Sequence, residues 1–184
     1  MIRNTETAYG SVAKVIHWLV ALVVIGLFSV GVWMVTLDYY SDWYKTAPHY
    51  HKSVGLLLAA LMIFRLLWRW FNVTPKAPAN HTKWERFAAH SAHILLYLLL
   101  FALFFSGFLI STADGRGIEI FNWVTVPSLG ELFQNQEDIA GEIHEWLAYS
   151  LIALVVIHAA AALKHHFIDK DNTLKRMIND NASE

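Results

Sequence analysis

Residues 144–168 read HEWLAYSLIALVVIHAAAALKHHFI, an apolar run with His144 at its head, His158 beyond its centre and a basic cluster where it stops. A helix of about twenty apolar residues crosses the hydrocarbon core of a bilayer, so this stretch is long enough to span one. Its two interior histidines are fourteen residues apart. At about 3.6 residues per turn that is nearly four turns, which puts both imidazoles on one helix face about 21 Å apart along the axis.

Moving outward, three further stretches have the same character, at about 12–37, 51–70 and 88–112. From Val15 the first runs VIHWLVALVVIGLFSVGVWMVTL, with one histidine and no formal charge. It is too long for a signal-peptide core and no small-residue cleavage site follows it, so it is expected to be a retained membrane helix. The second carries Arg65 and Arg69 near its end, where basic side chains reach the headgroups. The expected fold is therefore all-α, an integral membrane four-helix bundle formed by a single membrane domain over residues 1–184. The fourth span gives way to a polar C-terminal tail at about 169–184.

Composition agrees. The chain has 184 residues, 56% hydrophobic and only 16% charged, where a soluble domain carries about a quarter charged residues. A net charge of −1 offers no basic field for nucleic acid. With no cysteine, disulfides, iron–sulfur clusters, cysteine-ligated zinc and covalent haem attachment are excluded within the chain.

Orientation follows from the basic residues. With the N-terminus inside, the cytoplasmic segments hold 11 of the 14 Lys and Arg, and the other side holds only Lys45, Lys52 and Arg116. This bias predicts that both termini face the cytoplasm. Trp33, Tyr39, Tyr40, Trp43 and Tyr44 then gather at the outer edge, and Trp68, Trp70 and Trp84 at the inner one. Loop two holds Pro75 and Pro78, and loop three (113–143) is the longest and is acidic.

An ionisable group inside a membrane helix costs about 2.5–3.5 kcal/mol when charged and marks a functional position by default. His17 lies on the first span, His51 on the second, His90 and His93 on the third, and His144 and His158 on the fourth. A helix bearing His144 and His158 on one face can ligate two stacked metal centres. His51 starts its span level with His144, and His17 lies near the inner end of its own, close to the level of His158. Two bis-His sites are expected, an outer His51/His144 and an inner His17/His158. His165 or His93 stands as an alternative inner ligand, because depth counting puts His17 somewhat lower than His158.

Two b haems fit this pattern, since non-covalent haem needs axial ligands, apolar walls and partners for its propionates. Zinc or copper would need three or four ligands gathered at one depth, and no depth is expected to gather them. Arg65, fourteen residues after His51, is on the same face at the inner level, placed to pair with an inner propionate. Gly55 and the run from Ala159 to Ala162 leave room for a flat macrocycle, although small residues in membrane helices also serve close packing. His90 and His93 share a face and could meet a propionate, line a quinone site or act as ligands.

These residues resemble the bacterial cytochrome b561 family of four-helix inner-membrane dihaem proteins. The resemblance rests on Ile16–His17–Trp18–Leu19, on His51–Lys52–Ser53–Val54–Gly55, on Arg65–Leu66–Leu67–Trp68–Arg69, and on Ala89–His90 and His93–Ile94 with Tyr97 beyond. It continues through His144–Glu145–Trp146–Leu147–Ala148, His158 with its alanines, and HHFIDKDNTLKRM from His165 to Met177. The resemblance implies transmembrane electron transfer between haem b groups and the quinone pool of a respiratory chain in the bacterial inner membrane, with ubiquinone as the quinone. Its ligand positions fall on His17, His51, His144 and His158.

One member of that family oxidises superoxide and reduces ubiquinone, so a superoxide:quinone oxidoreductase is an alternative. The outer loops weigh against it, because a site that steers an anion should be positive. Here three basic residues face eight acidic ones, with Asp38 and Asp42 added to the six of loop three. That acidic loop could instead dock a basic periplasmic redox partner. A different class of alternative is a cytochrome b membrane-anchor subunit of a larger redox complex, with one haem or none.

Overall fold

The computed structural model describes residues 1–78 and 80–178. The end of the expected polar tail, residues 179–184, lies outside the described residues. Four long helices dominate: α1 (Ser11–Met34), α2 (Thr46–Trp70), α3 (Lys83–Thr112) and α4 (Gln136–Phe167). All four are long and apolar enough to cross a membrane, as the integral-membrane four-helix reading requires. Two short strands, β1 (Ile118–Ile120) and β2 (Val124–Val126), and a single-turn helix, α5 (Lys175–Ile178), complete the elements. Large apolar side chains point outward along the long helices: Leu22 is 68% exposed, Leu98 61% and Ile157 64%. In water such a surface would aggregate; in lipid it is the solvated face.

The chain forms two compact units, and each long helix contributes one stretch to each. The first comprises Met1–Ala21, Leu61–Tyr97 and the chain from Ala153 onward. Ile16, Val20 and Met62 are buried in it. Its polar segments tie to one another. Asn4 Nδ2 donates to the Val73 carbonyl at 2.9 Å, the Lys76 amide donates to the Glu6 carbonyl at 2.8 Å, and Trp18 Nε1 donates to the Met177 carbonyl at 2.9 Å. The N-terminal segment, loop two and the chain after α4 therefore share one side. Helix α3 starts with a capping box, in which Glu85 Oε2 accepts from the Thr82 amide at 2.9 Å and the Glu85 amide donates to Thr82 Oγ1 at 3.2 Å.

The second unit comprises Leu22–Ala60 and Leu98–Ile152, with Val24, Leu58, Leu103 and Leu151 buried. Loop three is not wholly irregular, a departure from a purely helical expectation. β1 and β2 pair antiparallel with Ile118 opposite Val126 and Ile120 opposite Val124. Phe121 and Asn122 make the turn, both at positive φ (47° and 61°), the backbone that a tight hairpin of right-twisted strands needs. Fully buried Ser53 anchors it, donating to the Glu119 carbonyl at 3.2 Å and accepting from the Phe121 amide at 3.1 Å.

Helix α4 begins eight residues before its expected span. Gln136, 1% exposed, fixes that start: its Nε2 donates to the Leu109 carbonyl at 2.9 Å and its Oε1 accepts from the Leu132 amide at 2.7 Å. Glu137 and Asp138 in the first turn favour the positive helix terminus. Residues 136–143, ahead of the expected span, are helical as well.

Candidate functional site

The second unit brings His51 of α2 and His144 of α4 together. Their ring centroids are 6.4 Å apart with planes at 72°. Ser106 Oγ donates to the Leu103 carbonyl at 3.1 Å and so accepts at 2.9 Å from Nδ1 of His144. That bond assigns the Nδ1–H tautomer and leaves the Nε2 lone pair free, which is how a ligating imidazole is held. Nδ1 of His51 is buried without a hydrogen-bond partner among the described residues.

Both rings lie against glycines. A Cβ on Gly107 would stand 3.2 Å from Cε1 of His144, and one on Gly31 3.4 Å from Cε1 of His51. A Cβ on Gly55 or Gly141 would meet nothing within 4 Å. All four glycines, one from each long helix, line a cavity of about 670 Å³ that also takes in both histidines. Lys52, Arg116, Asp114, Glu137 and Glu145 border the same cavity.

The first unit pairs His17 of α1 with His158 of α4, at 6.3 Å between centroids and 66° between planes. His93 of α3 is also drawn in, 5.2 Å from His158. Arg65 Nη2 donates to Nδ1 of His17 at 3.2 Å, and its guanidinium carbon is 5.6 Å from the centre of the Tyr97 ring. The other histidines go elsewhere. His90 is exposed, and His165 stacks on His81 with centroids 4.5 Å apart. Of the alanines after His158, Ala159, Ala160 and Ala161 are exposed and Ala162 half-buried.

Two imidazoles that held one iron between them, with metal–nitrogen bonds of about 2.0 Å and each ring centre about 1.1 Å behind its nitrogen, would have centroids about 6.2 Å apart. The separations of 6.4 and 6.3 Å match that spacing. The donor chemistry also fits, since each pair offers two imidazole nitrogens within apolar helices. In the first unit the fit has one condition. Nδ1 of His17 now accepts from Arg65, so ligation through Nε2 requires the guanidinium to release it and the proton to move to Nδ1.

Sequence reasoning did not single out Ser106 or Gly107, although the pair interrupts an apolar run in FFSGF. It also expected no depth to gather several metal-binding side chains. That is corrected by His81, His165 and Asp171, whose donor atoms lie within 4.8 Å of one another. The physical reason is that two of the three come from connecting chain rather than from a span.

A sequence model described as prokaryotic cytochrome b561 matches residues 8–180. The chain is similar to cytochrome b561 homolog 2 of Escherichia coli (strain K12), 48% identical over 181 residues, which covers 98% of this chain and 96% of that protein. The probable superoxide oxidase CybB of Yersinia pestis is 32% identical over 164 residues, covering 89% and 91%. Cytochrome b561 homolog 1 of Escherichia coli (strain K12) is 30% identical over 169 residues, covering 89% and 92%.

Proposed function

Because the chain belongs to the prokaryotic cytochrome b561 family, a family of membrane cytochromes b, we propose that it moves electrons across the bacterial inner membrane through two b haems and exchanges them with the quinone pool. The observation that carries this reading is the pair of imidazole separations, 6.4 Å for His51/His144 and 6.3 Å for His17/His158. When bound, haem b supplies a one-electron ferric/ferrous couple.

The side chains hold and tune. Ser106 keeps His144 in the tautomer that presents Nε2. Gly31, Gly55, Gly107 and Gly141 leave the apolar space a flat ring needs. Arg65, once freed from His17, would serve as the cation for an inner propionate, and its charge would favour the reduced state of the inner site. Helix α4 carries one ligand of each pair and links them through one continuous backbone. In this reading both termini and loop two are cytoplasmic, as the basic residues predict.

A relative described as a probable superoxide oxidase brings superoxide into view as an electron source. The residues bordering the outer cavity favour it less: two cations, Lys52 and Arg116, against Asp114, Glu137 and Glu145, with Arg116 Nε bound to Asp114 at 2.7 Å. The test is anaerobic stopped-flow mixing of the oxidised protein in detergent with a water-soluble ubiquinol. Reduction of both haems supports quinone exchange. Reduction by dithionite but not by quinol refutes it.

A further inference from the structure

We infer that His81, His165 and Asp171 form a binding site for one divalent transition-metal ion of the zinc, cobalt or nickel type, separate from the histidine pairs above. Asp171 Oδ2 stands 2.8 Å from His81 Nε2 and 3.0 Å from His165 Nδ1. The three side chains are 9%, 14% and 4% exposed for His81, His165 and Asp171. Two imidazole nitrogens and one carboxylate oxygen suit borderline transition metals, and are a poor set for magnesium or calcium, which take oxygen ligands.

A hydrogen-bond network alone leaves His165 Nδ1 unexplained. His81 and Asp171 form a hydrogen bond. His165 Nδ1 is buried within 3.0 Å of Asp171 Oδ2 and 2.9 Å of Asp169 Oδ2, yet it makes no hydrogen bond of acceptable geometry to either. An unmade bond at a buried ring nitrogen is costly. A cation facing the Nδ1 lone pair and the Asp171 oxygen satisfies both atoms at once.

A neighbouring group of donors, Glu85, His165 and Asp169, is the weaker candidate. Lys164 Nζ already lies 3.1 Å from Glu85 Oε1 and 2.8 Å from Asp169 Oδ2, so a cation already sits against both of its carboxylates, and both are more exposed than Asp171. Asp171 has no such partner among the cations that the described contacts give it.

The surroundings hold the donors in place. His81 directly precedes the α3 capping box, and Arg86 donates twice to its carbonyl, at 2.7 and 3.1 Å. After α4, Lys170 takes positive φ (55°) and turns the chain back, so that the Asp171 amide donates to the His165 carbonyl at 3.0 Å. The Thr173 amide holds Asp171 Oδ1 at 2.7 Å, which leaves Oδ2 for the imidazoles. Orientation of a ligand by such outer contacts is a regular feature of metal sites. An ion here would clasp the chain before α3 to the chain after α4.

The test uses the untagged full-length protein as purified with its haem, dialysed against chelator and titrated with Zn²⁺ in competition with a chromophoric chelator. One tight equivalent per chain is expected. His81→Gln and Asp171→Asn should each weaken it at least about tenfold, while His90→Ala, at an exposed position, leaves it unchanged. The haem spectrum of each variant reports that it is folded. If His81→Gln does not fold, His165→Gln is to be measured instead, with weakened binding expected. Absence of a saturable equivalent in the parent protein, or equal binding by the folded variants, overturns the proposal.

Discussion

Ser106 Oγ lies 2.9 Å from Nδ1 of His144, and this contact determines which nitrogen of that imidazole is free. The hydroxyl hydrogen is committed to the Leu103 carbonyl, so Ser106 can only accept from the ring. His144 is thereby fixed in orientation and tautomer before any ligand arrives. Such preorganisation strengthens metal binding by tuning the basicity and aim of the ligand.

Ser106→Ala should therefore retain the fold and weaken the outer haem by about 10–100-fold, the usual cost of losing a contact of this kind. Haem retention on dilution in detergent measures it. His144→Ala and His51→Ala should each remove that same haem, halving haem per chain, with identical residual spectra.

Gly107→Ala tests the close approach to His144. The added Cβ would be 3.2 Å from the ring, so the imidazole must shift. The same change at Gly26, where nothing lies within 4 Å, should be silent. The low-spin haem spectrum should change for Gly107→Ala and match the parent for Gly26→Ala.

Arg65→Gln removes a cation that lies 3.2 Å from His17. The inner haem should fall in midpoint potential by on the order of tens of millivolts, because loss of positive charge disfavours the reduced form. The outer haem should hold its potential. Potentiometric titration at low and high ionic strength separates the two.

Asp114 and Arg116 form an exposed pair beside the outer cavity. The side-chain and backbone hydrogen bonds from Arg116 hold the Asp114 carboxyl below its usual value. A depressed carboxylate contributes its stabilisation above the unfolded value and loses it as pH falls through the folded one. Between about pH 5 and 8 the pair is ionised throughout, so it adds no step to the pH dependence of haem reduction. Asp114→Asn, by removing one negative charge, should speed reduction by dithionite a few-fold in low salt, with the gain lost in high salt.

The readable parts of this protein lie where the membrane makes polar residues conspicuous. In an apolar helix each histidine stands out, and depth pairs His51 with His144, while at the inner level depth counting leaves His165 or His93 as an alternative to the His17/His158 pair. The nearness of His93 to His158, 5.2 Å between rings, is not readable that way, since helix rotation decides it. Ser106 and Gly107 are common residue types in membrane helices, and their purpose appears only when His144 packs across from them. The His81–His165–Asp171 group depends on a turn at Lys170 and on packing between segments ninety positions apart. The hairpin of loop three carries a visible alternation in IEI and VTV, which the acidic character of the loop masked.

The central claim is two bis-histidine haem sites in one chain. A pyridine haemochrome assay against protein concentration, combined with a redox titration, measures it most directly. The account predicts two b haems per chain titrating in two steps, with His51→Ala and His144→Ala deleting the same step. One haem per chain in the folded protein, or none, would contradict it.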